Sequence, residues 1–469
     1  MWHGRFREDT AEVVQEFTQS LDMDWRLAKY DIYGSIAHAR MLGEVGIITK
    51  EESKLLEEGL RQVLKEIQEG TFSPKLSLED VHMNIEARLT ELIGPVGAKL
   101  HTGRSRNDQS ATTVRLFLRK EMVDVGDGLL TLMDALIDRA TAHRTVIVPG
   151  YTHLQQAQPI SMGHYWLSHF WAFSRDFRRV LFALDSIDEC PLGAGALAGS
   201  TLPLDREHTA RLLGFKKPTD NSLDSVGHRD HMLDCQYALA VVMLHVSRLS
   251  EDLVIYGSRE FGWLDLPDSF CTGSSMMPQK KNPDVLELAR GRTGGVYGDL
   301  INLAVTMKAL PSTYNRDMQE DKRPLWNSLQ VVKDVLEVLP LLISRVEIDQ
   351  EKALESFREG FALATDVAEY LVLKGVPFRE AHAKVGKAVR WCIDNYKDLE
   401  ELSLEEWKEL IPEVEEDLLE LMSLEQSVNR RETYGGTSFK QVALQIERGL
   451  RLLEEYRERL ALYPAKFSL

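Results

Sequence analysis

Apolar side chains recur at alternating steps of three and four along several long stretches of this chain, and that spacing constrains its fold more than any other feature. Leu118, Met122, Val125, Leu129, Leu132 and Leu136 form one such seam. Leu239, Val242, Val246, Leu249, Leu253 and Tyr256 form a second, and Leu325, Leu329, Val332, Leu336, Leu339 and Ile343 a third. Phe170, Phe173, Phe177 and Leu181 add an aromatic stripe with the same spacing. Such a period keeps all of these side chains on one face of an α-helix, and that face must be covered. Four such segments between about residues 105 and 350 predict one extended helical bundle. Either neighbouring helices of the same chain or a second copy could cover the seams; spacing does not choose. Pro340 falls inside the third seam and should kink or end that helix, because proline lacks the backbone donor.

Around the bundle the pattern changes. Before residue 105 the helical stretches are shorter and punctuated by Gly70, Pro74, Gly94 and Pro95. After residue 356 an acidic helical region begins, broken at Gly375-Val-Pro377, and its Glu-rich run from Leu399 to Leu421 reads as solvated helix faces. Clean period-two alternation is scarce. The expected class is therefore all-α with small β elements, in three units: 1–104, mainly helical; 105–356, the long-helix bundle; and 357–469, a small helical unit.

Composition narrows the function. A formal charge of −17 disfavours a protein that coats nucleic acid or an anionic membrane, since both require basic surface. No apolar run approaches the roughly 20 residues of a membrane-spanning helix; the most apolar stretch, Val241 to Val246, is interrupted by His245. The N-terminal residues lack the apolar core of a secretory signal, so a cytoplasmic location is expected. Cys190, Cys235, Cys271 and Cys392 are far apart and form no Cys-x-x-Cys pair, which fits reduced thiols rather than a disulfide framework.

Common cofactor signatures are missing. Gly193-Ala-Gly-Ala-Leu-Ala-Gly199 is one residue too long for a dinucleotide loop and reads as a tight turn of small residues. No phosphate loop and no Gly-x-Ser-x-Gly elbow occur. His82 with Glu86, and His228 with His231, have helical spacing, but neither pair has a third ligand at a recognisable distance, so no metal is expected.

Four polar segments interrupt the amphipathic background. Lys99-Leu-His-Thr-Gly-Arg-Ser-Arg-Asn-Asp108 gathers His101, Arg104 and Arg106 where the first seam begins, and a helix start attracts anions through its free N–H groups. Gly150-Tyr-Thr-His-Leu-Gln-Gln-Ala-Gln-Pro159 sets His153 on a turn expected to lead into a helix, where an imidazole suits acid–base work. Gly273-Ser-Ser-Met-Met-Pro-Gln-Lys-Lys-Asn-Pro283 combines glycine freedom, two hydroxyls and the donors of Lys280, Lys281 and Asn282, as a lid closing on a carboxylate would. Pro311 to Pro324 is dense in Tyr314, Arg316, Gln319 and Lys322. Each segment alone also reads blandly, as a basic cap, a structural histidine, an exposed loop or a solvated linker. Together they make an acidic protein that concentrates Arg and Lys in three of four polar segments, as an enzyme for a small polycarboxylate would.

In this order, the segments resemble the fumarase/aspartase superfamily, whose signature is the Gly273–Pro283 core. Within it, His101 to Asp108, Tyr151-Thr-His-Leu-Gln155, Gln279-Lys-Lys-Asn282 and Tyr314 to Lys322 are similar to the argininosuccinate lyase family. The likeness runs from Trp2 to Ser427-Val428 and Gly435-Gly-Thr437. His3 replaces a usual Gly and Met276 a usual Leu, and neither is a residue assigned to chemistry.

The resemblance implies an all-α, three-domain protomer whose bundle assembles into a homotetramer, with each active site shared between subunits, and it turns the seams towards self-association. It implies reversible β-elimination of argininosuccinate to fumarate and L-arginine without a cofactor. His153 and Ser274 would be the acid–base pair, Glu287 would polarise the imidazole, and loop closure with Lys280 would activate Ser274. The base is open between the two; Ser274 is the favoured reading. Ser20, Ser105, Arg106, Asn107, Thr152, Asn282, Tyr314, Gln319 and Lys322 would surround the substrate. A sibling such as adenylosuccinate lyase, and a non-catalytic crystallin-like role on the same fold, are the competing expectations.

Overall fold

The structure is a computed structural model describing residues 10–358 and 360–463, so Trp2 and His3 lie outside the described residues. The N-terminal part packs α1 (Ala28–Glu44), α2 (Lys50–Gln68) and α3 (Val81–Ile93) around Ile32, Ile36, Leu56, Leu60, Ile85 and Leu89. Thr49 and Glu52 satisfy each other's backbone N–H groups at the start of α2, a capping box that fixes where the helix begins.

The bundle is built on α4 (Arg106–Ala142), a helix of 37 residues. Its start is set by Ser105, whose hydroxyl accepts from Asn107 N, while Asp108 accepts from Ser105 N at 2.9 Å. Against α4 lie α5 (Met162–Ile187) and α8 (Lys322–Ile343), with α6 (Asp230–Tyr256) and α7 (Asp284–Met307) completing the layer. A β-hairpin of β1 (Ile147–Thr152) and β2 (Gln155–Ser161) joins α4 to α5.

All three seams are buried within the single chain: Leu118, Leu129, Leu136, Val242, Leu249, Leu325 and Leu339 are each 0% exposed. This corrects the reading of the seams as the self-association surface, because their apolar area is already removed from water. Truncating one of them, Leu132 for example, should cost about 2–5 kcal/mol through lost burial and the cavity left behind. Pro340 lies inside α8, which continues past it to Ile343 and stops within one turn.

A separate small core contains Val367, Leu371, Val385, Leu399, Trp407 and Leu418. The last helix, α9 (Phe439–Leu460), leaves it and returns to α4 and α5, burying Val442, Leu453 and Tyr456 in the bundle core. The expected unit 357–469 is therefore not one piece. Amphipathic spacing announces that α9 has an apolar face but not which core that face joins. Among the described residues, no helix is long and apolar enough to cross a membrane.

Candidate active site

Four segments far apart in sequence line one cleft: Ser20 and Asp24; Glu79, Asp80, His82 and Met83; Arg106, Asn107 and Ser110; and Tyr314, Arg316, Gln319 and Lys322. Six residues expected around a substrate thus meet: Ser20, Arg106, Asn107, Tyr314, Gln319 and Lys322. Helix starts do much of the positioning, since Arg106 and Asn107 open α4 and Lys322 opens α8.

Lys322 is the best buried cation of the cleft. Its ammonium lies 3.1 Å from Asp321 Oδ1, and Asp321 Oδ2 accepts from Arg229 Nε at 2.7 Å. Burial favours the neutral amine, but Asp321 and Asp24 outweigh it and hold the Lys322 pKa above its ordinary value. Burial pushes the Tyr314 phenol up. Asp24 accepts from the Ser20 hydroxyl through Oδ2, while its buried Oδ1 has no hydrogen-bond partner among the described residues. Gln319 Nε2 donates to the carbonyls of Thr18 at 3.2 Å and Gln19 at 3.3 Å, tying the Ser20 segment to the start of α8. The cleft therefore offers both carboxylates and cations, as a ligand bearing both charges requires.

Some expected ligands are engaged elsewhere. The Ser105 hydroxyl caps α4, and this residue lines an adjoining hollow with His101, Arg104 and Gly195. The Arg106 guanidinium is held by Asp80 at 3.0 Å and Glu86 at 3.3 Å, so its charge is largely answered within the protein. His82 gives Nδ1 to Asp31 at 2.8 Å, and Glu86 faces His101, Arg104 and Arg106, which accounts for both members of that helical pair. Asp108 holds the small-residue turn by accepting from Gly193 N at 3.0 Å and Gly195 N at 2.8 Å.

The remaining chemistry-bearing residues sit apart on the surface. His153 and Leu154 form the two-residue turn of the β1–β2 hairpin, both with φ of 54°, and Thr152 ends β1. This corrects the expected turn directly into a helix: seven residues of β2 intervene before α5. Ser274 lies in an open loop closed at its base by strands Thr272–Gly273 and Lys281–Asn282. The Ser274 hydroxyl accepts from Met276 N at 3.2 Å and Met277 N at 3.1 Å, and Asn282 Nδ2 donates to Gly273 O at 3.4 Å. Lys280 is exposed, whereas Lys281 is tied to Asp265 at 3.1 Å and Asp268 at 2.8 Å and so is not a free carboxylate donor. Glu287 is exposed in the first turn of α7. Among the described residues, no hydrogen bond or ion pair within the chain joins His153, Ser274 and Glu287.

Known proteins resemble the chain along almost its whole length. Residues 4–298 match a lyase family model, and residues 361–429 match the argininosuccinate lyase C-terminal model. The argininosuccinate lyases of Geobacter metallireducens and Geobacter sulfurreducens are each 51% identical over 448 residues, covering 96% of this chain and 98% of theirs. The chain belongs to the argininosuccinate lyase family.

Among solved structures, EDDS lyase in complex with formate superposes with a TM-score of 0.85 at 29% identity, covering 94% of this chain and 90% of that one. Class II fumarase from Schistosoma mansoni shares the fold, with a TM-score of 0.70 at 19% identity over 82% of this chain and 89% of its own. Motif reading missed Asp24 and Asp80, which line the cleft, and Arg229, which supports it through Asp321. Asp24 lies one helical turn beyond Ser20, which is a weak signal; Arg229 carries none, because only folding brings it to Asp321.

Proposed function

We propose that the protein is an argininosuccinate lyase, catalysing reversible β-elimination of argininosuccinate to fumarate and L-arginine. The observation that carries this reading is the convergence in one cleft of the buried Lys322 ammonium and the polar side chains of Ser20, Asn107, Tyr314 and Gln319 beside Asp24, a set that suits a ligand with carboxylates and a guanidinium. Full-length identity to argininosuccinate lyases points the same way.

The chemistry sets what the residues must do. Removing a proton next to a carboxylate leaves a dianionic intermediate that needs donors placed in advance. Backbone N–H groups of the Ser274 loop, with Lys280 and Asn282, are the candidates for that stabilisation. Ser274 would take the carbon proton, with its hydroxyl activated as the loop closes beside Lys280. His153, polarised by Glu287, would protonate the departing guanidine nitrogen. The reverse assignment uses the same two atoms.

In the single chain neither the hairpin tip nor the Ser274 loop lines the cleft, which supports a site completed by other subunits. An unpartnered face supports the same reading. On α7, Leu288 is 58%, Ile301 63% and Val305 53% exposed, and a Cβ added at Gly291, Gly294, Gly295 or Gly298 would meet nothing within 4 Å. Such a surface suits close packing against α7 of another copy, and a homotetramer in the cytoplasm is the assembly proposed.

Product analysis tests the substrate. With argininosuccinate, fumarate and arginine should appear in equal amounts, and adenylosuccinate should give no AMP. AMP without arginine would favour the sibling lyase. A folded protein with no turnover of either compound would favour a structural role.

A further inference from the structure

A two-stranded hairpin is marginally stable alone, yet this one carries His153 at its tip. Its pairing is interrupted. Ile147, Val148 and Pro149 pair regularly with Ser161, Ile160 and Pro159, but the register then shifts, and only Tyr151↔Gln156 and Thr152↔Gln155 remain beyond the irregularity. A bulge bends a strand and re-aims the residues beyond it. The tip therefore hangs on two residue pairs, and something else must fix its direction.

Tyr151 packs on Tyr256 and Phe261 at ring-centroid distances of 5.8 and 5.3 Å from the bundle side, and Gln156 supplies the support on the other strand. Its Nε2 donates to the carbonyl of Ser356 at 2.8 Å, fastening the outer half of the hairpin to the segment just after the bundle. The opposite side of the amide is matched by Gly360, where an added Cβ would collide with Gln156 Oε1. The base is fastened separately: Ser161 N donates to Thr437 Oγ1 at 2.8 Å, and Ile147 packs with Phe357, Ala362 and Val428.

We propose that Gln156, seated between Ser356 O and the bare backbone of Gly360, is a positioning residue that sets the direction in which the hairpin tip presents His153. This rests on the reading of His153 as an acid–base group. Gln156 has no part in binding or proton transfer, and it acts by holding the tip half of the hairpin where pairing alone is too short to do so.

Gln156→Ala removes the fastening, and Gly360→Ala displaces the amide while keeping the Gln156 side chain. Each should lower kcat by about tenfold to a hundredfold, with KM within about twofold and the oligomeric state unchanged, because a misplacement of about 1 Å costs on that order. Thr437→Val and Thr437→Ser report on the base: serine should restore what valine loses. His153→Asn is measured alongside. If it keeps near-parent activity, the acid–base reading fails. If it is inactive while both Gln156→Ala and Gly360→Ala retain kcat within twofold, or lose only KM, the positioning role of Gln156 is overturned. Should Gln156→Ala fail to fold, Gly360→Ala decides.

Discussion

Lys322 and Asp321, neighbours in sequence, form a buried ion pair 3.1 Å long, and Asp321 also holds Arg229 from the other side. Asp321 thus bridges two cations, and Asp24 lies close enough to Lys322 to add a second negative charge beside it. Lys322→Gln should raise KM by about tenfold or more, since a charge-assisted contact to a carboxylate is lost. Because Arg229 still answers Asp321, the fold should persist. The raised Lys322 pKa means its ion-pair stabilisation is complete below the ordinary lysine pKa and fades only as pH rises through the folded value. Steady-state kinetics and thermal melts of the variant check both statements.

Glu86 gives a stability prediction at the opposite end of the pH scale. Burial raises its pKa, but His101, Arg104 and Arg106 overcome that and hold the carboxyl down at about 2. A depressed carboxylate stabilises the fold above its unfolded pKa and loses that contribution as pH falls through the folded value. Glu86→Gln should therefore destabilise by about 2 kcal/mol at neutral pH, with the difference from the parent shrinking between about pH 5 and pH 2. Denaturant titrations at several pH values measure it.

The exposed face of α7 predicts assembly. Ile301→Asp places a charge where 63% of an isoleucine is exposed and, in the proposed tetramer, buried. The variant should sediment as smaller species and lose activity, because the separated parts of the site no longer meet.

Sharing of the site predicts complementation. His153→Asn and Ser274→Ala should each be inactive alone. After unfolding and refolding together they should regain activity, with up to roughly a quarter of sites intact if the two residues come from different subunits assembling at random. An activity assay of the mixture against each variant alone gives the answer.

The bundle was legible in the sequence because helical period and seam spacing are local. Leu118 to Leu136 predict α4, and the polar segment Lys99 to Asp108 lies where it begins. Motif resemblance picked out Ser20, Arg106, Asn107, Tyr314, Gln319 and Lys322, which the fold gathers along one cleft. Their geometry was not legible. His153 lies on a hairpin whose left-handed turn is made by His and Leu rather than by Asn-Gly, so the usual signal of such a turn is absent. Ser20, Asn107 and Tyr314 share a cleft only because the N-terminal core docks on the bundle, and no local pattern encodes that. Periodicity also could not tell that the seams are filled within the chain while α7 keeps its apolar face free, since both faces look alike in sequence.

In the proposed mechanism Ser274 and His153 together carry proton transfer in a fumarate-releasing elimination. The most direct measurement is turnover of argininosuccinate by Ser274→Ala and by His153→Asn, monitored through the ultraviolet absorbance of fumarate, with ligand binding and oligomeric state recorded on the same samples. Both variants should assemble and bind but release fumarate at least about a thousandfold more slowly than the parent, as expected for loss of a proton-transfer group. A near-parent rate in either variant would contradict that mechanism.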